Sequence, residues 1–183
     1  CRASRRPAMQ DSRSPSTVER FFSGVTEHAF QTRLGVADPP LVDYVAEMLV
    51  RFLRSETVYS LRGTRGQRLS QVAEMLEEAE QRVGLARRRA HRHIGDFTLF
   101  WTGLYPEMAE RIKRLGHKDA LLDYRDQGRR AYFVASRIPA DESAPDGDLL
   151  ERIADQFELI EYGLGEARRA WESDQSPGGP ILV

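Results

Sequence analysis

His91, His93 and Asp96 are the residues of this chain whose types and spacing most readily suggest chemistry. They lie in RRRAHRHIGDFTLFWTGLYPE, residues 87–107, which begins as a basic run and becomes the most apolar and aromatic stretch of the protein. On a helix turning about 100° per residue, His93 and Asp96 are i,i+3 neighbours, whereas His91 points away with Gly95, Thr98 and Thr102. The turns after Asp96 are apolar on nearly every side, so its carboxylate is expected to be buried. A buried carboxylate needs a cation or several donors. Arg92 and His93 are the local candidates, and Arg89 falls on the same side. Two readings stand: a polar network that fixes the helix, or a functional carboxylate beside a histidine. In the second, Phe97, Phe100 and Trp101 would line a pocket for a small molecule or heme.

Arg62, Arg65 and Arg68, spaced by Gly63 and Gly66, form a second candidate, an anion-binding loop. Glycine permits close backbone approach and arginine holds phosphate or carboxylate in a fork. The plainer reading is a solvated turn. Other chemistries fail on spacing. Three residues before His28, His91, His93 and His117 stand Val25, Arg88, Ala90 and Arg114, so no Glu-x-x-His pair of a di-iron bundle exists. The side chains of His91 and His93 diverge by about 200° and cannot share a metal from one helix face. Cys1 is the only cysteine. No P-loop, dinucleotide fingerprint or nucleophile elbow is present. Neither a metal nor a cofactor is expected, and no motif marks an enzyme, although one built on His93 and Asp96 stays open.

These residues need helices to position them, and the chain supplies little else. Ser16 and Glu19 have capping-box spacing before a stripe of Phe21, Phe22, Val25 and Ala29. His28 beside that stripe reads as a partly buried packing residue, and Gly35 as the stop. Asp38 and Pro39 open a second helix with a broad apolar face from Leu41 to Leu53, on whose outer side Glu47 and Arg51 are spaced to pair. Val58–Leu61 reads as briefly extended. A third helix is expected over Leu69–Val83, and a fourth over Leu85–Leu104. A short fifth runs from Pro106 to Gly116, and a sixth over Asp119–Ser136. A last helix opens near Asp146, with a kink at Gly163 and Gly165. The expected fold is all-α, a single domain of six to seven helices at residues 16–172 around a buried central helix at about 85–104. Residues 1–15 read as a disordered basic arm and 173–183 as a disordered tail.

The bulk properties agree. A chain of 183 residues, 40% hydrophobic and 30% charged, with net charge −1, is globular and carries no global attraction to polyanions. Arg82, Arg87, Arg88, Arg89 and Arg92 form a run without an acid, and residues 141–161 are acidic against Arg152 alone. The two stretches are expected to pair within the fold, and nucleic acid is not an expected partner. No apolar run approaches the roughly 20 residues of a membrane span. A single cysteine suits the cytoplasm. Cys1 reads as a fragment boundary, or as part of an extension before Met9, rather than as a lipidated residue.

The segment HRHIGDFTLFWTGLYPE, with VADPPLVDYVAEMLVRFL upstream, resembles a family of uncharacterised bacterial all-helical proteins. The shared pattern is His-x-Gly-Asp-x-x-Leu-Phe-x-x-Gly-x-x-Pro-Glu, matched by His93, Gly95, Asp96, Leu99, Phe100, Gly103, Pro106 and Glu107. The resemblance covers most of residues 17–165. It implies the helical fold and no activity. The expected function is a helical protein-interaction module, self-associating or docking on a protein partner. The alternative is a small-molecule-binding protein, or an enzyme, built on His93 and Asp96.

Overall fold

The computed structural model describes residues 17–174 apart from 36, 53–60, 64, 117 and 143, and among them the fold is all-helical. In chain order the helices are α1 (Thr17–His28), α2 (Pro39–Phe52), α3 (Val72–Glu80), α4 (Gly84–Leu104), α5 (Pro106–Leu115), α6 (Tyr124–Ser136), α7 (Gly147–Asp155) and α8 (Phe157–Asp174). A short π-helix, Ala29–Arg33, follows α1. The β structure among the described residues is one isolated bridge, Arg62 to Arg68.

Helix α4 is the centre. It packs against α2, α3, α5, α6 and α8, most extensively against α6. It buries Ala90, Ile94 and Phe97 on one side and His91, Gly95 and Thr98 on another. A helix apolar on several sides must be wrapped by others. Glycines set the approach of α4 to α6. A Cβ on Gly95 would stand 2.8 Å from the ring carbons of Tyr132, and one on Gly128 of α6 would run into the Thr98 hydroxyl of α4 and stand 2.7 Å from the Phe157 ring of α8. Each glycine weakens its helix by about 1 kcal/mol relative to alanine. The close aromatic packing it permits offsets that.

Helix boundaries set by local chemistry fall where the sequence puts them. Asp38 Oδ1 accepts from the Leu41 amide at 3.3 Å, and Pro39 opens α2. Pro106 opens α5. Gly35 takes φ +61°, as a helix stop requires. Ser16 and the extended reading at 58–60 lie outside the described residues, as do the arm at 1–15 and residues 175–183 of the expected tail, whose first two residues, Ser173 and Asp174, instead belong to α8.

Other boundaries depart from the sequence reading, and eight α-helices form among the described residues rather than six or seven. Helix α3 starts at Val72 rather than Leu69, and α6 at Tyr124 rather than Asp119. Both shifts trace to Asp119. It is fully buried, and its carboxylate accepts from the Val72 and Ala73 amides, each at 2.8 Å, and from the Tyr124 hydroxyl at 2.6 Å. Asp119 therefore caps a distant helix instead of starting its own, and Asp123 caps α6 by accepting from the Arg125 amide at 2.9 Å. The final helix is interrupted at Gln156 and not at the glycines. Gly163 instead lets α8 press on the π-helix, since a Cβ there would stand 2.7 Å from the Phe30 ring. His28 is exposed rather than packed. Among the described residues no helix is long and apolar enough to cross a membrane.

Candidate functional site

Asp96 is buried, with 2% of its surface exposed. Its Oδ1 accepts from the Tyr44 hydroxyl at 2.5 Å and from the Tyr132 hydroxyl at 2.7 Å. Its Oδ2 accepts from Arg51 Nη2 at 3.1 Å, and Arg92 Nε stands 3.8 Å away. The carboxylate thus joins α2, α4 and α6. Burial first, then the negative charge of Asp96, holds both tyrosine hydroxyls well above their ordinary pKa, so both stay protonated donors. Arg51, spaced to pair with Glu47 on the outer side of α2, turns to Asp96 and also lies 5.6 Å over the Tyr44 ring.

Of the three residues expected around this carboxylate, the structure brings Arg92 to it and places the other two elsewhere. Arg89 is exposed and pairs with Asp141 at 3.1 Å. His93 stacks on Phe52, with ring centroids 5.8 Å apart. Phe97 and Phe100 are buried members of the hydrophobic core rather than walls of an open pocket. Trp101 closes the same cluster, 5.2 Å from Phe100.

The arginine loop is a tight hairpin. The Gly63 amide donates to the Gln67 carbonyl at 3.0 Å and the Gly66 amide to the Gly63 carbonyl at 2.8 Å. An anion cradle needs those amides pointing outward, and the turn itself consumes them. The side chains of Arg62, Arg65 and Arg68 are exposed. The basic run and the acidic stretch do pair in part, through Arg89 to Asp141.

An open site lies at the other end of α4. A cleft of about 550 Å³ opens between α5, the turn that follows it, α6 and α8. Thr102 and Glu161 lie among its lining residues, Lys113 and Arg125 line its sides, and Ala109, Leu122 and Tyr124 supply apolar wall. Glu161 is 8% exposed. The Nε of Arg125 lies 2.9 Å from Glu161 Oε1 and 2.7 Å from Oε2. Burial raises the Glu161 carboxyl above its ordinary pKa even though Arg125 and Thr102 pull it down. Lys113 lies 5.8 Å over the Tyr124 ring. The cleft therefore presents cations and carboxylates facing one another beside an apolar surface.

Sequence reading missed these residues because they come from four separate elements. One signal was present. Glu161 sits between Ile160 and Leu164 on the buried side of α8, where a carboxylate is out of place.

Compared with protein-family models, curated proteins and solved structures, the chain matches none. None of them supports the likeness read from residues 93–107 and the segment upstream.

Proposed function

We propose that this chain is a ligand-binding helical domain whose ligand is a small zwitterion of the amino-acid class, held in the α5–α6–α8 cleft. The observation that carries this is the buried Glu161 paired with Arg125 in a cleft that Lys113 and Asp123 also line. An ammonium group would meet Glu161 and Asp123. A carboxylate would meet Lys113 and Arg125. The apolar part of the molecule would lie on Ala109, Leu122 and Tyr124. The volume suits a small ligand, within the usual range of roughly 300–1,000 Å³.

The test is a titration of ¹⁵N-labelled protein with pooled amino acids, followed by amide shifts. Saturable shifts at Ala109, Lys113, Leu122 and Arg125 are expected, and Lys113→Ala should weaken them. If no pool shifts these amides saturably, the reading is wrong.

A second reading, the interaction module, draws on two leucines near the same cleft. Leu121 is 99% exposed and Leu115 is 71% exposed, one on each side of residues 116–120. Large apolar side chains so exposed suit a protein contact, here with a second copy of the chain. A dimer at micromolar concentration that Leu121→Glu dissolves would support it, and a monomer by light scattering would count against it.

A further inference from the structure

The basic run of α4 forms a recess independent of that cleft. Leu85, Arg88, Arg89 and Arg92 of α4, with Asp141 and Ala144 of the α6–α7 connection, enclose about 100 Å³. Arg88 is 2% exposed. Its Nε donates to the Ile138 carbonyl at 2.8 Å and its Nη2 to the Pro145 carbonyl at 2.7 Å, which staples both ends of the connection to α4. Carbonyls satisfy its hydrogen bonds but do not neutralise its charge. Arg92 reaches only the 3.8 Å edge of Asp96, an oxygen that already accepts from Arg51. Arg89 pairs with Asp141 at 3.1 Å. Three guanidinium groups thus line the recess against one carboxylate of its own, Asp141. Repulsion from Arg92 adds to burial in lowering the Arg88 pKa.

We propose that this recess binds a tetrahedral oxyanion, a phosphate or the phosphate group of a small monoester, with Arg89 and Arg92 as its ligands and Asp141 as its internal competitor. Arginine forks suit planar, bidentate contact with such oxygens. The recess is small and open at its mouth, so it admits the ion itself. The organic part of a monoester would remain outside.

The experiment is calorimetric titration of the full chain with inorganic phosphate and with phenyl phosphate, at fixed ionic strength set with chloride. Arg89→Gln should weaken binding about tenfold, the loss of one charge-assisted contact. Asp141→Asn should tighten it, because the competing carboxylate is gone. Arg130→Gln, at an exposed arginine of α6 paired with Asp126, should leave affinity unchanged. Binding of both titrants assigns the site to the monoester phosphate, and binding of inorganic phosphate alone assigns it to the free ion. The proposal is overturned if neither titrant binds, if Asp141→Asn fails to tighten binding, or if Arg130→Gln weakens it as Arg89→Gln does.

Discussion

The hydroxyl of Tyr44 stands 2.5 Å from Oδ1 of Asp96, so a side chain of α2 is locked to the middle of α4. The Tyr132 hydroxyl shares the same oxygen, and Arg51 holds the other. Replacing Asp96 by Ala would leave two buried hydroxyls and a half-buried guanidinium without their acceptor. Breaking one partner of a buried charged set costs about 3–5 kcal/mol. Tyr44→Phe removes one donor and is expected to cost about 1 kcal/mol. Glu77→Ala, at an exposed residue 3.6 Å from Lys118, should cost less than about 1 kcal/mol. Urea unfolding of the three variants beside the wild type measures this order. An Asp96→Ala protein with the wild-type midpoint would show that the carboxylate does not hold the fold.

Gly95 gives a second expectation. With only 2.8 Å between its missing Cβ and the Tyr132 ring, Gly95→Ala must push α6 away or tilt the ring. Overpacking of this kind costs about 1–3 kcal/mol, against the helix-propensity gain of about 1 kcal/mol. Combining it with Tyr132→Leu, which removes the opposing ring, should give a loss smaller than the sum by at least about 0.5 kcal/mol. Strict additivity in the double-mutant cycle would mean that the contact is not the cause.

What the sequence revealed follows the range of each interaction. Asp38, Pro39 and Pro106 act within one turn, and the helices they open begin where the pattern places them. The burial of Asp96 was legible because the turns around it are apolar. Its partners were not, because Tyr44 and Arg51 lie 52 and 45 residues away. Among local candidates only Arg92 reaches it, while His93 finds a better surface on Phe52. The cleft was hidden for the same reason. Thr102, Lys113, Arg125 and Glu161 share no local spacing, and only the odd position of Glu161 hinted at it.

Asp119 tests the long-range cap. It holds two amides of the first turn of α3 from 47 and 46 residues away and the Tyr124 hydroxyl from close by. Asp119→Ala removes a helix cap and leaves buried donors unpaired, a loss of about 2–3 kcal/mol. Asp119→Asn keeps one acceptor oxygen and should lose less. Hydrogen exchange supplies the local readout. The Val72 and Ala73 amides are expected to lose protection in Asp119→Ala beyond the global change. If they exchange no faster than amides of α6, the cap contributes nothing to α3.

His91 carries the pH expectation. It is 3% exposed, and among the described residues neither ring nitrogen has a hydrogen-bond partner. Glu80 stands 3.9 Å from Nε2 and is also bonded by Arg87. Burial, then repulsion from Arg87, lowers the His91 pKa from its ordinary value, and Glu80 opposes this only in part. Lowering in the folded state means that the unfolded chain takes the proton first as the solution is acidified. The stability tied to neutral His91 is therefore complete above the unfolded value, about 6.5, and is lost as pH falls from there through the folded value. Glu161 shifts in the opposite sense, with a raised folded pKa, so the comparison must be made against a variant that changes His91 alone. His91→Leu fills the same apolar site without a titrating group. Its unfolding free energy should decline less than that of the wild type between pH 7 and pH 5, by chemical denaturation at each pH. Parallel declines in the two proteins would mean that His91 is not the group that couples folding to acid.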